Sequence, residues 1–254
     1  MPSSYHGTHA GEGTDDTLMA LALAEVLAAR GEYIPEEVAA EYVQVWQQYP
    51  TRGWGKSTVD ALERLQRGRL WTASGSPSEG NGTAMRAAPI GLRYGSEEAG
   101  GWARTDAGIT HDTIEAREGS AAIATAVALL REGVEPPNVV PRVVASLVPC
   151  SVRNRIKEVL NQSWDNTFQM LITMGTGGHV VQTVPAALGT LLTAKNFGEA
   201  VFATIKAGGD TDTVAAITGA LWGTFSPIPE RWLAGLHAET RAQAERLQRM
   251  ILNG

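Results

Sequence analysis

The sequence predicts an all-α fold, a single domain of many helices, and three observations carry that prediction. Apolar residues recur at helical spacing in one segment after another. The chain is rich in small residues, with 36 Ala and 28 Gly among 254, and these let helix axes approach closely. Strand-like runs are scarce, and the one β-branched run, Asn138-Val-Val-Pro-Arg-Val-Val, has Pro141 at its centre.

Taken in order, Leu18, Leu21, Ala22, Glu25, Val26 and Ala29 share a helical repeat that Gly31 stops. A second helix fits 35–48, with Pro35 in its first turn and Glu36 and Glu37 where the helix dipole favours acid. A third fits 58–66, because Val59, Leu62 and Leu65 lie on one face. The polar stretch 68–83 follows, and a loop that long inside a compact chain is either functional or disordered. Further helices fit 84–94, 111–131, 139–147, 152–161, 167–173, 183–193, 197–207, 211–225 and 230–252. There is no fixed-period repeat and no linker between halves, so 1–254 reads as one domain, with the Ser-, His- and Gly-rich segment 1–10 expected to be flexible.

Composition narrows the function. Apolar types at 43% and charged types at 19% describe a globular chain. A net charge of −6 argues against nucleic acid as a general partner. The single Cys150 cannot form an internal disulfide, which points to a reducing compartment. The apolar run 18–29 follows Asp15 and Asp16 where a secretory signal needs basic residues, and no apolar stretch reaches the ~20 residues of a membrane span. A cytoplasmic monomer is expected.

The chemistry concentrates in two acidic segments. Gly13-Thr14-Asp15-Asp16-Thr17 precedes the first helix, and Gly208-Gly209-Asp210-Thr211-Asp212-Thr213 precedes another. Each alone reads equally as a helix cap, since Thr and Asp are preferred there. Together they offer four carboxylates and several hydroxyls, which are hard oxygen donors suited to Mg²⁺, Mn²⁺ or Ca²⁺. If both helix starts face one cleft, the four charges would repel strongly unless cations neutralise them. A two-metal site of Thr14, Asp15, Asp16, Asp210, Asp212 and Thr213 is the economical reading. In the long loop, Gly80-Asn81-Gly82 lets backbone N–H groups approach a ligand, although an ordinary Gly-rich turn looks the same. Arg86 either contacts an anion or pairs with a structural carboxylate. His111, read as opening a helix, is either a ligand contact or a packed residue. Gly177, Gly178 and His179 form a second flexible loop.

The segments Thr14-Asp-Asp-Thr-Leu-Met-Ala-Leu-Ala-Leu-Ala, Gly80-Asn-Gly-Thr-Ala-Met-Arg-Ala-Ala-Pro, Thr110-His111 and Gly209-Asp-Thr-Asp-Thr resemble the ADP-ribosylglycohydrolase family, that of dinitrogenase reductase-activating glycohydrolase. Thr183-Val-Pro-Ala-Ala-Leu and Ile228-Pro-Glu-Arg-Trp are similar to its C-terminal half, and the motifs stand in family order. The resemblance implies a compact all-α fold with a binuclear Mg²⁺ (or Mn²⁺) centre that releases ADP-ribose from modified protein side chains or related compounds. By position it implies Thr14, Asp15, Asp16, Asp210, Asp212 and Thr213 as metal ligands, with Asp212 bridging. It also implies that Gly80, Asn81 and Gly82 lie along the ADP-ribose with His111 nearby, and that Gly177, Gly178 and His179 line the ligand.

One departure stands out. Family members begin with a helix resembling G-x-x-x-G-D-A-x-G, followed by a glutamate that binds metal or acts in catalysis, and nothing like it is present here. Glu79 is the internal candidate for that catalytic role, with a solvated loop acid as its plain alternative. The expected function is therefore a metal-dependent ADP-ribosyl hydrolase, or else an ADP-ribose-binding module impaired in catalysis.

Overall fold

The computed structural model describes residues 8–253, with the last helix followed as far as the backbone of Asn253. The expected flexible segment 1–10 thus lies mostly outside the described residues. Those residues form fourteen α-helices and two short 3-10 turns, with isolated β-bridges and no strand. None of the helices is long and apolar enough to cross a membrane.

The core is built around α6 (Ile114–Arg131), in which 14 of 18 residues are buried, six of them alanines. A helix apolar on every side has to be enclosed by others. Its small side chains allow α4 (Ala88–Arg93) and α10 (Val180–Thr193) to pack very close. A Cβ on Gly91 of α4 would lie 2.3 Å from the Ala124 carbonyl oxygen, and one on Gly119 of α6 would lie 2.1 Å from Val180 of α10. Helix α5 (Ser96–Thr110) packs beside α6 and buries Ala99, Ala103 and Ala107. On one flank lie α1 (Asp15–Arg30), α2 (Pro35–Gln48) and α3 (Lys56–Gln66). On the other lie α7 (Pro136–Ser146), α8 (Ser151–Asn161), α9 (Thr167–Met174), α11 (Phe197–Ala207) and α12 (Thr211–Gly223). Helix α1 ends where predicted, at Gly31, whose φ of +71° suits glycine and whose N–H bonds Leu27 O.

Beyond shifts of a few residues at several helix ends, the structure departs from the sequence reading in four places. The expected helix 84–94 shortens to α4, because Pro89 lacks an N–H and begins a helix without continuing one. A 3-10 turn, Asn81–Thr83, precedes it. Helix α5 had no counterpart in the prediction, since its buried face is alanine and glycine and makes no strong apolar period. His111 does not open a helix. It is an extended residue (φ −135°, ψ 116°) closing α5, and Thr113 caps α6 by accepting from Ala116 N–H at 3.2 Å. The expected helix 230–252 divides into α13 (Glu230–Leu233) and α14 (Ala238–Asn253). The break packs on Gly11, whose carbonyl accepts from His237 N–H at 2.9 Å.

The stretch 68–83 is an ordered loop. Arg64 donates to Ser74 O at 2.7 Å and to Ser76 Oγ at 2.6 Å. Ser76 N–H donates to Thr110 O at 2.8 Å, and Asp112 N–H donates back to Ser76 O at 2.8 Å.

Beneath this loop sits a fully buried ion pair. Arg86 Nε donates to Asp106 Oδ2 at 2.8 Å and Nη2 donates to Asp106 O at 3.0 Å. Tyr42 donates its hydroxyl to Asp106 Oδ1 at 2.8 Å and Tyr33 does so at 3.3 Å, and the guanidinium lies 4.7 Å over the Tyr42 ring. Of the two roles open to Arg86, the structural one holds. Removing one partner of such a pair strands a buried charge. Arg86→Met is therefore expected to lower the unfolding free energy by about 3–5 kcal/mol, measured by urea denaturation. A loss below about 1 kcal/mol, the scale of an exposed pair, would contradict this placement.

Candidate active site

Three helix N-termini converge on one cavity of about 420 Å³: those of α1, α3 and α12. Asp15 and Asp16 occupy the first turn of α1, and Asp212 that of α12 with Asp210 as its N-cap. The segment before α1 is held by backbone and charge. Asp15 N–H donates to Arg52 O at 2.8 Å, and the Arg52 guanidinium pairs with Glu12, holding that carboxyl well below its usual range, at about 2. Asp210 N–H donates to Thr176 O at 2.7 Å. Gly209 makes that approach possible: its φ is +76° and a Cβ would sit 2.3 Å from the same carbonyl oxygen.

The Gly80-Asn81-Gly82 segment forms the facing wall. Asn81 N–H donates to Gly178 O at 3.0 Å and Val180 N–H donates to Glu79 O at 2.9 Å, pairing the two glycine-containing loops. Asn81 Nδ2 donates to Asp210 Oδ2 at 2.7 Å and to Thr183 Oγ1 at 3.0 Å, so one side chain ties the loop to the acidic segment. A Cβ on Gly82 would stand 3.0 Å from His111 Cε1 and 3.2 Å from Thr58 Oγ1.

The carboxylates strain against one another. Burial first, and then the Asp16 carboxylate, push Asp15 up to about 8, with the Gly55 N–H opposing and Asp212 adding. Burial pushes Asp16 up to about 6, with Asp212 and Asp210 adding and the Thr14 and Thr213 hydroxyls opposing. Burial also raises Asp210, against the bond from Asn81. Thr14 donates to Asp16 Oδ2 at 2.8 Å, whereas Asp16 Oδ1 is sealed without a hydrogen-bond partner. His111 is buried, and burial with the nearby Arg86 charge holds its imidazole down at about 3.

Of the residues expected at the site, Asp15, Gly80, Asn81, Gly82, His111, Gly178, Asp210, Asp212 and Thr213 line the cavity. Asp16 and Thr14, bonded to each other, do not line it. Gly177, Glu79 and His179 are not on the wall either. Glu79 and His179 are solvent-exposed, with side chains 45% and 65% exposed and 3.9 Å apart, beside the bridge that pairs Gly80 with His179. Of the two readings open to Glu79, the half-exposed side chain matches the solvated loop acid. Lys56, Ser57, Thr58 and Ser78 also line the cavity and were missed. The signal was present in Gly53-Trp-Gly-Lys-Ser-Thr, a glycine-rich run opening a helix. A larger cavity of about 590 Å³ between α1, α2 and α14 contains none of the expected residues.

The raised Asp15 value makes a signed prediction. A carboxyl protonated in the folded protein and ionised in the unfolded one stabilises the fold at low pH, and that contribution is lost as pH rises from about 4 to about 8. In chelator-treated protein, Asp15→Asn should therefore gain stability relative to the parent as pH increases across this window. Thermal melts at pH 5 and pH 8 showing a constant difference would contradict the placement of Asp15.

Residues 1–253 match the family model described as ADP-ribosylglycohydrolase. The chain is 30% identical over 238 residues to the ADP-ribosylarginine hydrolase Tri1 of Pseudomonas putida, covering 88% of this chain and 62% of that one. It is 26% identical to the mouse (Mus musculus) ADP-ribosylhydrolase ARH3, covering 94% and 77%. A solved structure described as an ADP-ribosylglycohydrolase-related protein complex superposes with a TM-score of 0.74 at 30% identity, covering 95% of this chain and 82% of that one. The chain belongs to the ADP-ribosylglycohydrolase family, and the acidic cavity stands within a glycosidic hydrolase fold.

Proposed function

We propose that the protein hydrolyses the glycosidic bond that joins ADP-ribose to a protein side chain or a related leaving group, using two Mg²⁺ ions, with Mn²⁺ able to replace them. The observation that carries this reading is that Asp15 of α1 and Asp210 and Asp212 of α12 line one cavity together with Gly80, Asn81 and Gly82. The relatives named for ADP-ribosylarginine and ADP-ribosyl hydrolysis support the substrate class.

Among the described residues no three acidic, histidine or cysteine side chains form a ready metal-binding set. The donor chemistry nevertheless fits a hard divalent cation, since the groups are carboxylates and hydroxyls without sulfur. The sealed, unpartnered Asp16 Oδ1 and the raised Asp15 and Asp16 values are what a cation would relieve. Asp15, Asp16, Asp210 and Asp212 would hold the ions, with the Thr14 and Thr213 hydroxyls as further oxygens. Bound there, divalent ions would orient the ribose hydroxyls and make water a better nucleophile at neutral pH.

The remaining work falls to the chain itself. Backbone N–H groups at the N-termini of α3 and α12 favour the negative diphosphate. Gly80, Asn81 and Gly82 offer close backbone approach to the ribose and phosphates. The surrounding carboxylates oppose the positive charge that develops at the anomeric carbon as the bond breaks. A proton must also pass to the leaving group, and a carboxyl raised toward neutrality is suited to carry it.

A second reading, an ADP-ribose-binding module, is favoured by one observation: no glutamate lines the cavity among the described residues. Incubation with arginine- and serine-linked ADP-ribosyl peptides, with and without Mg²⁺, separates the two. Release of ADP-ribose that disappears in Asp212→Ala supports hydrolysis. Calorimetric binding of ADP-ribose without release supports the module, and neither result would overturn both. Glu79→Gln should leave release within about twofold of the parent, because its half-exposed carboxylate is not among the groups lining the cavity.

A further inference from the structure

Arg86 reaches His111, on the cavity wall, through one intervening residue. Its Nη1 donates to Thr110 Oγ1 at 2.8 Å, and Thr110 Oγ1 lies 2.9 Å from His111 Nδ1. Arg86 can only donate, so Thr110 Oγ1 is an acceptor toward it. Thr110 is fully buried, and its own hydroxyl proton has a single acceptor in reach among the described contacts, His111 Nδ1. An Nδ1–H on the ring would leave that proton sealed without a partner, at the cost of an unsatisfied buried donor. The opposite nitrogen, Nε2, has no hydrogen bond within the described protein and is not among the sealed polar atoms. It lies at the cavity wall, where a Cβ on Gly80 would be 3.2 Å from it.

We propose that Arg86 and Thr110 are positioning residues that hold His111 in the Nε2–H tautomer, so that the ring presents a hydrogen-bond donor to the cavity and meets its ligand at an acceptor oxygen. The core ion pair sets the direction of the chain of bonds. Asp106 fixes the guanidinium, the guanidinium takes the Thr110 lone pair, and the Thr110 proton takes Nδ1. Burial and the Arg86 charge keep the ring neutral, which agrees with a single ring proton. The ligand on the other side, a ribose hydroxyl or phosphate oxygen, rests on the function proposed above; the tautomer does not.

The test is a long-range ¹H–¹⁵N spectrum of ¹⁵N-histidine-labelled protein, with His111 assigned from His111→Gln. At pH 7 the parent should show His111 Nδ1 unprotonated and Nε2 protonated, and Thr110→Ser should keep that pattern. Thr110→Val, nearly the same shape without the hydroxyl, should mix the tautomers or reverse them and weaken ADP-ribose binding by roughly tenfold, the scale of one hydrogen bond. A protonated Nδ1 in the parent, or an unchanged pattern in a folded Thr110→Val, would overturn the proposal. Should ADP-ribose fail to bind the parent at all, the functional reading fails, and the spectra still decide the tautomer.

Discussion

Taking a guanidinium and a carboxylate wholly out of water costs several kcal/mol per ion, and excellent geometry alone offsets it. The Arg86–Asp106 pair meets that condition by recruiting the elements around it. The arginine bonds both the side chain and the backbone of Asp106, the Gly82 carbonyl and the Thr110 hydroxyl, while two tyrosines complete the carboxylate. Those partners come from four pieces of chain: the loop before α4, the last turns of α5 (which supply both Asp106 and Thr110), helix α2 and the α1–α2 connection. A shift in any one would leave a charged donor or acceptor unpaired. The pair therefore dictates where the Gly82 carbonyl sits, and with it one wall of the cavity.

The cavity obeys the opposite rule. Its acids are gathered at the N-termini of α1 and α12, where helix dipoles favour negative charge, yet they remain mutually repulsive and one buried oxygen is unpaired. A polar network that is complete rigidifies a core, whereas one left incomplete holds desolvated groups without compensation. The two networks lie side by side and share His111, which touches the complete one through Thr110 and the incomplete one through the cavity.

Part of the architecture was legible where side chains are large. Leu62 fills the face read for α3 and Gly31 ends α1 as its position implies, but the buried face of α1 runs through Met19, Leu23 and Leu27, while Leu18, Leu21 and Glu25 of the repeat read there are only half-buried. Helix α5 was not legible, because Ala99, Ala103 and Ala107 drive burial only when α6 presents an equally small surface opposite. At the site, the acids and the Gly-Asn-Gly loop stood out by composition. Between the two roles open to Glu79 the sequence could not choose, because adjacency to a glycine-rich loop does not say whether a side chain lines a cavity or meets solvent. Thr58 read only as the start of the third helix and Lys56 and Ser57 drew no reading, and the meeting of α3 with α1 and α12 is what made them part of the wall.

The sequence by itself determined that this would be a helical protein with oxygen-rich helix starts, since periodicity, capping and donor type are properties of neighbours along the chain. The tertiary structure decided which of those starts face one another and which histidine nitrogen faces the cavity. It also decided that the acids, and not Glu79, meet there. Those outcomes rest on contacts such as Asn81 with Asp210 and Arg86 with Asp106, whose partners lie far apart in sequence. They become favourable only when burial removes the water that would otherwise satisfy each group alone.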